Sequence, residues 1–158
     1  MQRETILIID FGAQYSQLIT RRVREANVYS EIHSHKISIE QVRNIAPAGI
    51  ILSGGPMSVN EEGAPRLDFE ILKLGIPILG ICYGLQLICK LFGGEVETAK
   101  NREYGKAILR LTTRSGLFRD VIENSTVWMS HGDYLTRLPD EFEIIAESDH
   151  SPIGAIAN

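Results

Sequence analysis

A chain of 158 residues is the size of one domain and can bury a sizeable core. Its mixed composition, without repeats or low-complexity tracts, excludes a fibrous or disordered protein, and its apolar runs are too short to span a bilayer. A formal net charge of −4 gives no electrostatic footprint for nucleic acid.

Met1 is followed by charged Arg3 and Glu4, which is not a secretory signal, so the cytoplasm is the expected compartment. Thr5 to Asp10 (TILIID) reads as a buried first strand. Ser16 to Ala26 reads as a helix, with Leu18, Ile19, Val23 and Ala26 at helical spacing. Its basic cluster, Arg21, Arg22 and Arg24, reads as a solvated face. Val28 to Ile32 is a second strand. Ser38, with Gln41 three residues on, makes a capping box for a helix reaching about Ile45. Gly49 to Leu52 is a third strand, which ends in the loop Ser53 to Pro56. The acidic segment Asn60 to Pro65 reads as a surface loop. Leu67 to Leu74 is a helix, Ile76 to Ile81 a fourth strand and Leu85 to Phe92 a further helix.

After Gly93-Gly94 the alternation of strand and helix stops. Ala107 to Leu111, Thr126 to Met129, Glu143 to Ala146 and Ile153 to Ala157 read as strands separated by short turns. The expectation is a partly antiparallel extension of the first sheet, within one domain covering residues 1–158. The fold class is therefore α/β, with three layers and helices on both faces of a mixed, mostly parallel central sheet.

Cys82 and Cys89 are seven residues apart, which is neither a redox-pair nor a zinc-ligand spacing. Cys89 lies among Leu87, Ile88 and Leu91 and reads as core. Cys82 stands between a strand and a helix, with Gly80 and Gly84 two residues away on either side. Two residues without a β-carbon allow a tight turn there, and such a turn lifts the intervening side chain over the carboxyl edge of the sheet. A thiol at a helix start gains from the dipole and the free N–H groups, so a thiolate nucleophile for acyl chemistry is expected. The alternative is a small buried hydrophobe, the usual place of a free cysteine.

The run from Gly80 to Gln86, G-I-C-Y-G-L-Q, resembles the G-x-C-x-G-x-Q motif of the class I glutamine amidotransferases. I-L-S-G-G-P at Ile51 to Pro56 is similar to that family's oxyanion loop. I-I-D-F-G-A-Q-Y at Ile8 to Tyr15, R-E-Y-G at Arg102 to Gly105 and V-W-M-S-H-G-D at Val127 to Asp133 resemble its GMP synthase branch. The resemblance implies that Cys82 attacks the side-chain amide of glutamine and forms a thioester. It implies an oxyanion hole from the backbone N–H groups of Gly55 and Tyr83. It also implies that Gln86 and the stretch Ser130, His131, Gly132 and Asp133 hold the glutamine. No metal and no cofactor are expected in this domain. ATP and magnesium belong to an ATP-pyrophosphatase (synthetase) domain or subunit, which takes the ammonia to aminate XMP to GMP. The implied partners are thus L-glutamine and that synthetase half, with a homodimer of the full-length enzyme as a further implied assembly. Neither nucleic acid nor a membrane is among them.

Other readings of these positions stay open. Gly54-Gly55 would suit a phosphate loop, though no G-x-x-x-x-G-K-[ST] follows. Gln86 alone would read as a surface polar residue. Ser130, His131 and Asp133 suggest a hydrolase relay, but neighbours in a strand point to different sides. His33 and His35 share one strand face as half a metal site, with no third ligand placed to complete it. The same chemistry could serve anthranilate, carbamoyl phosphate or CTP synthesis, and a non-catalytic regulatory module on this scaffold is the rival of another class. The family's acid–base pair lies in an F-H-P-E segment, and this sequence contains no H-P-E. The expectation is a chain cut short before that segment and inactive by itself.

Overall fold

The computed structural model describes residues 4–158 apart from Ser115 and His150, and for 99–104 and 129–131 it describes the backbone alone. Two compact units divide the chain, Met1–Leu91 and Phe92–Asn158.

In the first unit, β1 (Thr5–Asp10) is followed by α1 (Ser16–Glu25), β2 (Tyr29–Ser34), α2 (Ile39–Ile45) and β3 (Gly49–Leu52). A short α3 (Phe69–Leu72), β4 (Ile78–Gly80) and α4 (Tyr83–Leu91) complete it. All strand pairs are parallel, in the order β2-β1-β3-β4. β1 is central, and Leu7, Ile8 and Ile9 are fully buried on both of its faces. That is why TILIID is continuously apolar rather than alternating. Each such side chain contributes about 1.5–3 kcal/mol by leaving water.

Right-handed crossovers put α1, which leads from β1 to β2, on one face of the sheet. α2 and α3 lead the other way and cover the opposite face, where they touch. The expected capping box is present. Gln41 N donates to Ser38 Oγ at 3.2 Å, and Ser38 N donates to Gln41 Oε1 at 2.9 Å. The Asn60 to Pro65 loop is exposed over most of its length and anchored at its ends. Val59 and Ala64 are buried, and Lys90 of α4 donates to Val59 O and Asn60 Oδ1.

The second unit holds β5 (Glu95–Leu111), a one-turn 3-10 helix (Gly116–Phe118), β6 (Ser125–Arg137), β7 (Glu143–Ser148) and β8 (Ala155–Ala157). Its order is β6-β5-β7-β8 and every pair is antiparallel. The α/β class and the parallel sheet are as expected, but the later strands are a correction. They form a second sheet instead of extending the first, because the long β5–β6 ribbon pairs with itself and with β7. Phe118, Ile145 and Ala146 form the small core of this unit. Among the described residues no helix is long and apolar enough to cross a membrane.

Candidate active site

The parallel strands converge at their carboxyl ends on three short segments: 10–13 after β1, 53–56 after β3, and 81–83 between β4 and α4. Backbone hydrogen bonds continue the strand ladder into all three. Ser53 N donates to Ile9 O and Ile81 N to Leu52 O, both at 3.0 Å. Gly84 N then donates to Ser53 O at 3.1 Å and to Ile81 O at 2.9 Å, so the start of α4 hangs from the 53–56 segment.

Cys82 sits between them with φ +49°, in the left-handed region that a residue with a β-carbon rarely adopts. Its carbonyl accepts the first bond of α4, from Gln86 N at 3.0 Å. Gly80 permits the turn: a β-carbon there would lie 2.7 Å from Gly84 C and Leu85 N. The strained strand-to-helix turn expected from the glycine bracket is present. Cys82 is exposed, whereas Cys89 is buried in α4 as core.

The surface of Cys82 is open to solvent, yet the surrounding protein removes enough water to push the thiol above its ordinary value. Burial is the cause of that rise. The nucleophile needs a base to take its proton.

Gly54 lies against the thiol-bearing residue, 3.7 Å from its Cβ to a β-carbon built on the glycine. A β-carbon on Gly55 would lie 2.8 Å from Phe11 O and 3.4 Å from Tyr83 Cγ. Gly55, Cys82 and Tyr83 are therefore neighbours. The Tyr83 ring is buried, 5.3 Å from the Phe11 ring centre, and its hydroxyl donates to Pro65 O at 2.5 Å. Gln86 is buried too, which removes the surface-polar reading. Gly132 and the buried Asp133 lie in β6 of the second unit, and the Ser130 and His131 side chains lie outside the described ones. His33 is in edge strand β2 beside Glu31 at 3.3 Å, and the His35 ring stacks on Phe11. No group of three metal-ligating side chains occurs among the described residues.

Asp10 is the residue that the sequence did not single out. At the end of β1, its Oδ1 accepts from Gly12 N (3.0 Å), Ala13 N (3.2 Å), Ser16 Oγ (2.6 Å) and Ser53 Oγ (3.3 Å). Burial alone would raise its pKa. The bonds from Ser16, Gly12, Ala13 and Ser53 outweigh that and hold the carboxyl below its ordinary value. The available signal was an aspartate at a strand's carboxyl end, just before a glycine turn.

Comparison with known proteins bears on this geometry. Residues 7–158 match the family described as glutamine amidotransferase class-I. The chain is 55% identical over 157 residues to a protein of Macrococcus caseolyticus named GMP synthase [glutamine-hydrolyzing], covering 99% of this chain and 30% of that one. It thus spans about 30% of the length of the curated relatives it matches. Among solved structures, one from Thermoplasma acidophilum, described provisionally as part of a GMP synthase, is 29% identical, with a TM-score of 0.88 over 100% of this chain and 79% of its own. A glutamine amidotransferase of Thermotoga maritima shares the fold at 24% identity and a TM-score of 0.78, over 99% of this chain and 72% of its own.

Proposed function

This chain belongs to the glutamine amidotransferase class-I family, and on that premise we propose that it hydrolyses glutamine through Cys82 and supplies ammonia for the amination of XMP to GMP. One observation carries the chemistry: Cys82 stands on a left-handed turn with its Cβ against Gly54. The sulfur attacks the amide carbon of glutamine, and the carbonyl oxygen gains negative charge. The Gly55 and Tyr83 N–H groups receive that charge, because backbone donors fixed in place need no reorganisation during the reaction. The C–N bond then breaks, ammonia leaves with a proton, and a glutamyl thioester remains for water to cleave to glutamate. Gln86, buried one turn into α4, helps to hold the substrate.

The raised thiol makes a base necessary, and in this family a histidine paired with a glutamate supplies it. XMP as the acceptor is supported by identity of 55% to proteins named GMP synthase [glutamine-hydrolyzing]. The ATP-dependent half, with its ATP and magnesium, is assigned to a synthetase domain or subunit. The test is mass spectrometry of the complete encoded protein after treatment with a glutamine-analogue electrophile. An adduct on Cys82, absent from Cys89 and suppressed by excess glutamine, is the expected result. No adduct would leave a regulatory module on the same fold as the better reading.

A further inference from the structure

Asp10 lies one segment away from the thiol, and its bonds come from residues 12–16 and, through Ser53, from the 53–56 segment. Its Oδ1 fixes the backbone of Gly12 and Ala13 and the Ser16 hydroxyl, which sets the course of residues 11–13. That course forms a wall for the oxyanion segment. Phe11 O is the atom nearest to a β-carbon built on Gly55, at 2.8 Å. The Pro56 ring approaches Gly12, and Ala13 Cβ approaches Gly54. Ser53 fastens the two segments: its buried hydroxyl oxygen accepts from Phe11 N at 3.0 Å. The hydroxyl's single proton has two acceptors, Gly54 O at 2.8 Å and Asp10 Oδ1 at 3.3 Å.

We infer that Asp10, acting through Ser53 and the 11–13 backbone, is a positioning residue that sets the orientation of the Gly54–Gly55 peptide beside Cys82. The inference rests on the glutaminase reading above. A donor aimed at an oxyanion loses its value when its peptide turns, while the thiol's turn is still tied to β3 by the bond from Ile81 N to Leu52 O. Turnover should therefore suffer without loss of thiol reactivity.

The experiment measures glutamine hydrolysis by the complete encoded protein and, in parallel, alkylation of Cys82 by iodoacetamide. Asp10→Ala is expected to lower kcat about 10²-fold, the usual effect of a misplacement near 1 Å, with little change in KM or in alkylation rate. Asp10→Asn keeps an acceptor oxygen and should recover most of the lost kcat. Ser53→Ala should lower kcat in the same sense, and it decides the matter if Asp10→Ala does not fold. An unchanged kcat in the variant that folds overturns the inference. So does a parallel loss of kcat, glutamine affinity and alkylation, which would mark a general structural role. A wild-type protein that releases no glutamate from glutamine overturns the glutaminase reading and this inference with it.

Discussion

A β-carbon on Gly84 would lie 2.5 Å from the carbonyl oxygen of Leu52. Helix α4 therefore meets strand β3 backbone to backbone, and a methyl group at Gly84 has nowhere to go. Gly84→Ala should destabilise the protein by at least the 1–3 kcal/mol, roughly, that overpacking costs, because the opposing atoms are main chain. Urea unfolding would show it. An unchanged midpoint would mean that α4 can slide along β3.

The left-handed turn makes a second, finer prediction. A residue with a β-carbon in that region costs about 1–2 kcal/mol, whereas glycine loses roughly 0.4–1 kcal/mol through its freer unfolded chain. The first effect is larger. Cys82→Gly should therefore be more stable than Cys82→Ala, by a few tenths to about 1 kcal/mol. Comparing the two variants removes the thiol from both sides. If the alanine variant is the more stable, the turn holds no strain at Cys82.

The thiol's ionisation sets a pH dependence. Desolvation raises the Cys82 pKa, so the folded protein holds that proton more tightly than the unfolded chain does. The contribution to stability is present below the ordinary cysteine value and is lost as pH rises through the raised one. Cys82→Ser should flatten this alkaline decline. Iodoacetamide alkylation of Cys82 should likewise reach half its maximal rate above the ordinary thiol value. A midpoint below it would show that the helix start outweighs desolvation.

Gly55 tests the oxyanion assignment. A methyl group there meets Phe11 O at 2.8 Å, so the peptide must turn or the segment must move. Gly55→Ala should reduce kcat for glutamine by about 10²–10³-fold, the cost of losing one such donor. KM should move far less. Glutamate release within a few-fold of wild type would show that this N–H is not used.

Much of the first unit was legible because each element carried a local signal. TILIID is apolar on both faces, Ser38 and Gln41 cap one another, and two glycines bracket Cys82. The second unit was less so. β5 begins at Glu95, twelve residues before the expected strand, because Glu95 to Lys106 is mostly polar. Such a stretch becomes a strand through cross-chain pairing with β6, which alternation alone does not reveal. Nor does a strand's pattern say which edge it will join, and that is how one expected sheet became two. The link from Asp10 to the 53–56 segment escaped for a related reason: Ser53, one of its four donors, is 43 residues away.

The continuation of the strand ladder into the 53–56 and 81–83 segments has a dynamic consequence. The Ser53 and Ile81 amides are held by the carbonyls of Ile9 in β1 and Leu52 in β3, both fully buried residues. Breaking them means parting core strands, not fraying a surface loop. Their hydrogens should exchange with deuterated solvent only when the whole unit unfolds, at the same slow rate as Ile8 and Ile9. Exchange ahead of those amides would show a turn that opens alone. The nucleophile's scaffold otherwise has no private way to breathe.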